Sequence, residues 1–143
     1  MLFRSILDEN IHDVRDVPLD GRAHLRPGIR QWNGNSVGHW EGATLVVETT
    51  NYHPKAVLKF PASPTALRAT ERFTRVAADL IDYRFTVDDP ATYTRPWTAA
   101  LPMVGLPDYV IFEYACHEGN YAIKNVLSGA RGQERVAGAA PRD

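Results

Sequence analysis

The chain has 143 residues, a formal charge of −1 from 16 basic and 17 acidic side chains, and 44% hydrophobic residues. That length and composition suit one folded domain with its own core and exclude a disordered chain, while the even charge balance excludes a general pull toward nucleic acid or anionic membrane. Cys116 is the only cysteine, which excludes an intrachain disulfide and a cysteine-built zinc site.

Residues 1 to 10 carry no strong pattern and are expected to be flexible. Met1 to Leu7 is too short and interrupted for a signal peptide. Ile11 to Leu19 reads as a strand ending at Pro18, an edge-type position. Asp20-Gly21-Arg22 and Pro27-Gly28 are turn signals. From Gly38 the pattern becomes β, and Thr44 to Tyr52 has the Thr and Val content of a strand. Residues 53 to 66 hold three prolines and read as a surface loop or flap.

Leu67 to Val76 and Leu80 to Val87 form the clearest hairpin, joined by Ala77-Ala78-Asp79. A three-residue loop pairs Val76 with Leu80 and sets the faces. One face then carries Ala69, Glu71, Phe73, Ile81, Tyr83, Phe85 and Val87. The other carries Arg72, Thr74, Asp82 and Arg84 and is solvated. Asp88 to Thr92 is a turn. Arg95 to Met103 is a further strand, broken by Pro96 and Pro102, hence an edge. Tyr109 to Cys116 reads as a strand apolar on both faces apart from Glu113. Tyr121 to Ser128 is a short helix, and residues 130 to 143 are expected to fray.

Antiparallel strands joined by short turns predict a mainly β fold. The expected form is a meander making a small calycin- or lipocalin-like barrel, or a strongly curled sheet, with a short C-terminal helix. It spans 1 to 143 as a single domain. Open strands of this kind hide their edges by curling or by pairing with another chain, so a homodimer is expected. No apolar run approaches the roughly 18 residues of a membrane span, and the chain is expected to be soluble.

Five runs carry a family likeness: Pro18 to His24, Gly38 to Val47, Glu71-Arg72-Phe73, Asp89 to Trp97 and Glu113 to Asn120. In these the chain resembles a family of uncharacterised bacterial proteins, many of them exported and longer at the N-terminus. Ala43 stands where that family usually carries Asp. The resemblance implies the fold and an exported ancestry and brings no reaction with it. Gly38-His39-Trp40 also resembles the Gly-x-Trp of lipocalin-like barrels, where the Trp has a packing role.

The candidate chemistry lies in acids set among apolar strand residues. Glu71 leads, because a lone acid on an apolar face is costly unless paired. One reading has Glu71, Glu48 and Glu113 converging in a barrel, where crowding and burial split their proton affinities into an acid and a base. The other has each acid paired with an Arg, such as Arg15, Arg72, Arg84 or Arg95, as a strut. His117 and His24 are the candidate second proton carriers. Cys116 and His117 are strand neighbours and point to opposite faces, so they do not form a nucleophilic pair. Asp20, Arg22, Trp40, Tyr83, Arg84, Trp97 and Tyr114 are candidate ligand contacts. No HxH, HExxH, GxSxG, P-loop or GxGxxG pattern is present, so no metal, cofactor or nucleotide is expected. Two functions follow. One is a cofactor-independent isomerase, lyase or hydrolase acting on a small, largely apolar molecule. The alternative is a lipocalin-like binding protein.

Overall fold

The computed structural model describes residues 3–9, 13–58, 60–115 and 118–138. Seven strands and one helix follow one another along the chain: β1 Phe3–Asp8, β2 Asp13–Pro18, β3 Asn35–Glu41, β4 Thr44–Thr50, β5 Arg68–Ala77, β6 Leu80–Asp88, β7 Trp97–Val104 and α1 Ala122–Gly138. The chain divides into two compact units, Met1–Ile111 and Phe112–Asp143.

The first unit is built from an antiparallel five-stranded sheet, β3-β4-β5-β6-β7, and a separate ribbon, β1-β2. The mainly β, antiparallel reading therefore stands. Among the described residues β3 and β7 do not pair with each other, so the sheet stays open and no closed barrel forms.

Register decides which side chains meet. Val47, Glu71, Phe85 and Ala99 are successive partners across β4 to β7. Alternation then puts Leu45, Ala69, Phe73, Tyr83 and Val87 on the same face. This is the inner face, because β2 lies against it. Val17 is fully buried in a cluster with Leu45 and Val47, and Ile6, Leu19 and Phe73 pack around it. Gly38 permits the approach: a Cβ there would stand 2.6 Å from Val17 Cγ1 and 2.9 Å from Leu19 Cδ2. A second cluster joins Tyr52, Leu67 and Val87 to Leu58, Phe60, Phe85, Tyr93 and Trp97, so the segment from 53 to 67 covers the other part of the inner face. Asp89 fixes that segment. It is 1% exposed and accepts the Ser63 N–H at 2.6 Å and the Ala91 N–H at 3.1 Å.

The outer face is polar. Thr44 and Thr74 hydroxyls meet at 2.7 Å and those of Thr86 and Thr98 at 2.8 Å. Glu41 accepts from Arg72, and Arg84 donates to Asp82 at 3.0 Å.

The β5–β6 hairpin keeps the expected register from Arg75↔Ile81 downward, but Ala77 pairs with Leu80 across a bulge at Val76. Its loop is therefore shorter than expected. Two further expectations are corrected. Residues 109 to 115 form no strand, and Tyr109, Val110, Ile111 and Phe112 are exposed. The helix is also longer than expected, running 17 residues to Gly138. Asn120 accepts the Ala122 N–H at 3.0 Å at its start, and Arg135 sits in its last turn, where a cation suits the helix dipole. Among the described residues no helix is long and apolar enough to cross a membrane.

Candidate functional site

β2 reads as a strand with alternating burial. Val14 and Asp16 face out, while Asp13, Arg15 and Val17 face the sheet. An inward arginine in this layer needs an anion, and the anion is Glu71. Arg15 Nη1 donates to Glu71 Oε2 at 2.6 Å and Arg15 Nη2 to Oε1 at 3.0 Å. Such a two-pronged contact fixes both side chains and is stronger than a neutral hydrogen bond. Tyr83 Oη donates to Glu71 Oε1 at 2.8 Å. The Glu71 side chain is 9% exposed and the Arg15 side chain 23%.

This cluster changes its neighbours. Burial disfavours the Arg15 cation, but the hydrogen bonds and negative charge of Glu71 outweigh it and hold the guanidinium above its ordinary pKa. The Tyr52 phenol is pushed up to about 12, first by burial and then by the Glu71 charge. Tyr83 is also raised, by burial first and then by Glu71, to which it donates. All three stay in the form that hydrogen-bonds best near neutral pH.

A cavity of about 540 Å³ opens beside the cluster. The sheet supplies Ala69, Glu71, Tyr83, Phe85, Val87 and Leu101. The ribbon supplies Ile6, Asp8, Asp13 and Arg15, and the covering segment Val57, Leu58, Phe60 and Leu67. Trp32, Asn33 and Tyr52 complete the lining. The rings form a ladder: Phe73 to Tyr83 at 4.8 Å, Tyr83 to Phe85 at 5.8 Å and Phe85 to Phe60 at 6.3 Å between centroids, each near parallel.

Glu48 is not part of this site. It pairs with Thr70, one residue out of step with Glu71, and so faces the opposite side of the sheet. There it meets His24 instead, with His24 Nε2 3.9 Å from Glu48 Oε2. Asn35 Oδ1 accepts the Leu25 N–H at 2.9 Å and sits 3.1 Å from His24 Nδ1. With Asn35 Oδ1 as the acceptor, Nδ1 is the ring nitrogen placed to donate to it. Among the described residues Nε2 is buried without a hydrogen-bond partner. Two of the candidate proton carriers thus come together, but on the outer face and away from Glu71.

The remaining candidates are scattered. Asp20 and Arg22 pair with each other at 2.5 Å on the surface, and that hydrogen bond holds Asp20 down to about 2. Arg84 is exposed on the outer face beside Asp82. Trp40 is 50% exposed at the end of β3. Trp97 stacks edge-on against Phe60, Phe85 and Tyr93 in the second cluster. Glu113, exposed, and Tyr114 belong to the second unit. His117, with Cys116, lies outside the described residues. Arg15 is not singled out by the sequence beyond its place among possible partners, and Tyr52 is not singled out at all. The available signal for Arg15 is its position two residues before Val17, on the buried side of a strand. Among the described residues no group of three or more His, Cys, Asp or Glu side chains is placed to hold a metal ion.

No family model, curated protein or solved structure matches this chain.

Proposed function

We propose that the first unit is a small-molecule binding module whose ligand lies in the aromatic-lined cavity between the sheet and its coverings. The observation that carries this reading is that Glu71 is held on both oxygens by its neighbours. Both of its oxygens accept from Arg15, and one also accepts from Tyr83. A general acid or base needs a free lone pair or an exchangeable proton facing its substrate, together with a partner that relays the proton. Glu71 here is a strut that ties ribbon to sheet and sets the shape of the cavity. The volume of about 540 Å³ falls inside the usual range of small-molecule sites, and an apolar lining with a few fixed polar groups is their usual make-up. This reading is the lipocalin-like binding alternative, carried by an aromatic-walled pocket on one face of an open antiparallel sheet.

The test is titration with N-phenyl-1-naphthylamine, an uncharged probe whose fluorescence rises in apolar surroundings. One saturable site is expected in the wild type, and its loss in Ala69→Phe, which fills the lining and leaves Arg15 and Glu71 unchanged in sequence. Urea unfolding of the variant checks that it is folded. Unchanged probe binding in a folded Ala69→Phe contradicts the reading.

A second reading has one observation behind it, the partnerless His24 Nε2 beside Glu48. On that reading His24 is a base on the outer face. Any turnover would then fall with His24→Gln and persist in Glu71→Gln. A homodimer also remains part of the proposal. Leu101, Met103, Val104, Leu106, Val110 and Ile111 are exposed along and beyond the free edge of β7. A second copy can cover such an edge about a twofold axis. Sedimentation equilibrium at micromolar concentration checks this, and a monomer at all loadings contradicts it.

A further inference from the structure

We infer that the cavity selects a neutral, flat aromatic or conjugated molecule bearing a carbonyl oxygen, received by the Arg15 N–H groups that Glu71 leaves unused. This deepens the proposed binding function and rests on it.

A guanidinium carries five N–H groups and no acceptor. The fork to Glu71 engages one N–H on each terminal nitrogen. Among the described residues no other acceptor takes the N–H groups that remain. Arg15 lines the cavity and its side chain is 23% exposed. The acceptor side is nearly full. Glu71 already accepts three bonds, and the Tyr83 proton goes to Glu71. Burial and the Glu71 charge keep the Tyr52 phenol protonated near neutral pH. What the floor of the cavity offers a ligand is donor capacity, so the ligand supplies an oxygen acceptor.

Charge narrows the class. Arg15 and Glu71 cancel, so the floor is neutral as a pair. An anionic ligand reaching Arg15 also meets the Glu71 carboxylate, and like charges so close oppose it. A neutral carbonyl suffers no such repulsion. Asp8 and Asp13 sit farther out on the ribbon, facing each other across β1 and β2, with Asp8 exposed to water. They make an organic cation the competing ligand.

The walls set the shape. Phe60 lies at 20° to Phe85, and Tyr83 at 28° to Phe85. Near-parallel rings present flat faces, against which a planar molecule stacks.

The experiment is isothermal titration of the full chain with four naphthalenes of one size: 2-acetylnaphthalene, 2-ethylnaphthalene, 2-naphthylmethylamine and 2-naphthoate. A hydrogen bond from a charged donor predicts a ketone affinity at least about tenfold above that of 2-ethylnaphthalene. The advantage should shrink to about twofold or less in Arg15→Met/Glu71→Met, which removes both charges together. In the wild type, the infrared carbonyl band of bound 2-acetylnaphthalene should move to lower frequency than in hexane, a readout independent of any variant. Equal binding of ketone and hydrocarbon overturns this inference and leaves the binding function standing. Tightest binding of the amine or of the naphthoate also overturns it. Binding of none of the four overturns the inference and removes its foundation, the binding function, with it.

Discussion

Replacing Glu71 by Gln separates a strut from a proton carrier. The carboxylate holds Arg15 by two bonds of 2.6 and 3.0 Å and receives the Tyr83 hydroxyl at 2.8 Å. The amide keeps one oxygen for Tyr83 but turns an N–H₂ toward the guanidinium and strands its charge. Breaking a buried pair costs roughly 3–5 kcal/mol. The Arg15 side chain keeps 23% exposure, so the low end, about 3 kcal/mol, is expected. For a folded unit of this size that is a drop in Tm of roughly 10 °C. Arg15→Met alone leaves a carboxylate that is 9% exposed with only Tyr83 and should cost a similar amount. The double replacement Arg15→Met/Glu71→Met restores a matched apolar pair and should lie within about 1 kcal/mol of wild type. Urea unfolding followed by Trp fluorescence measures all four proteins, with an unchanged m-value as the check on two-state behaviour. Additive single effects, or a Glu71→Gln cost below about 0.5 kcal/mol, the range of ordinary surface changes, would refute the strut.

Other outcomes follow from the same contacts. Tyr52 keeps its proton in the folded state up to about pH 12, whereas the unfolded phenol loses its own near 10. Stability should therefore be level below pH 10 and fall above it, by about 1.4 kcal/mol per pH unit for this residue; Tyr52→Phe should flatten that slope in urea midpoints taken from pH 9 to 11.5. Burial works against the Asp89 anion, but the Thr92 hydroxyl and the Ser63 and Ala91 N–H groups outweigh it and hold its pKa down. Its contribution is full above the unfolded value near pH 4 and fades as pH falls through the lower folded value. Asp89→Asn should cost about 1–3 kcal/mol at pH 7 and remove part of the acid dependence below pH 4. Gly38→Ala should destabilise by about 1–3 kcal/mol, since its Cβ meets Val17 at 2.6 Å; a gain in stability, as glycine replacement in an ordinary strand tends to give, contradicts the packing of β2 on the sheet.

The part of the fold legible in the sequence is the part decided by short-range patterns. Alternation along Leu67 to Val87 assigns Glu71, Tyr83 and Phe85 to one face and Arg72 and Arg84 to the other, and the register agrees from Arg75↔Ile81 downward. Alternation also implies that Glu48 and Glu71 part company once β4 pairs with β5, but that step needs the register, and Val47↔Glu71 against Glu48↔Thr70 is set by long-range packing. The choice of Arg15 for Glu71 spans 56 residues and two layers, beyond any local signal. The 109 to 115 segment has strand composition, yet composition cannot supply a partner edge. In α1, Gly129 and Gly132 argue against extension, while Ala, Arg, Gln and Glu favour it and carry the helix to Gly138.

We place the ligand of this protein in the inner-face cavity floored by the Arg15–Glu71–Tyr83 cluster. The most direct test is a ¹H–¹⁵N correlation titration with 2-acetylnaphthalene, including the Arg15 side-chain Nε–H signal. Saturable shifts confined to Arg15, Tyr52, Ala69, Glu71, Tyr83 and Phe85 are predicted. Shifts centred instead on His24, Asn35 and Glu48, or no shifts at saturating ketone, would contradict the account.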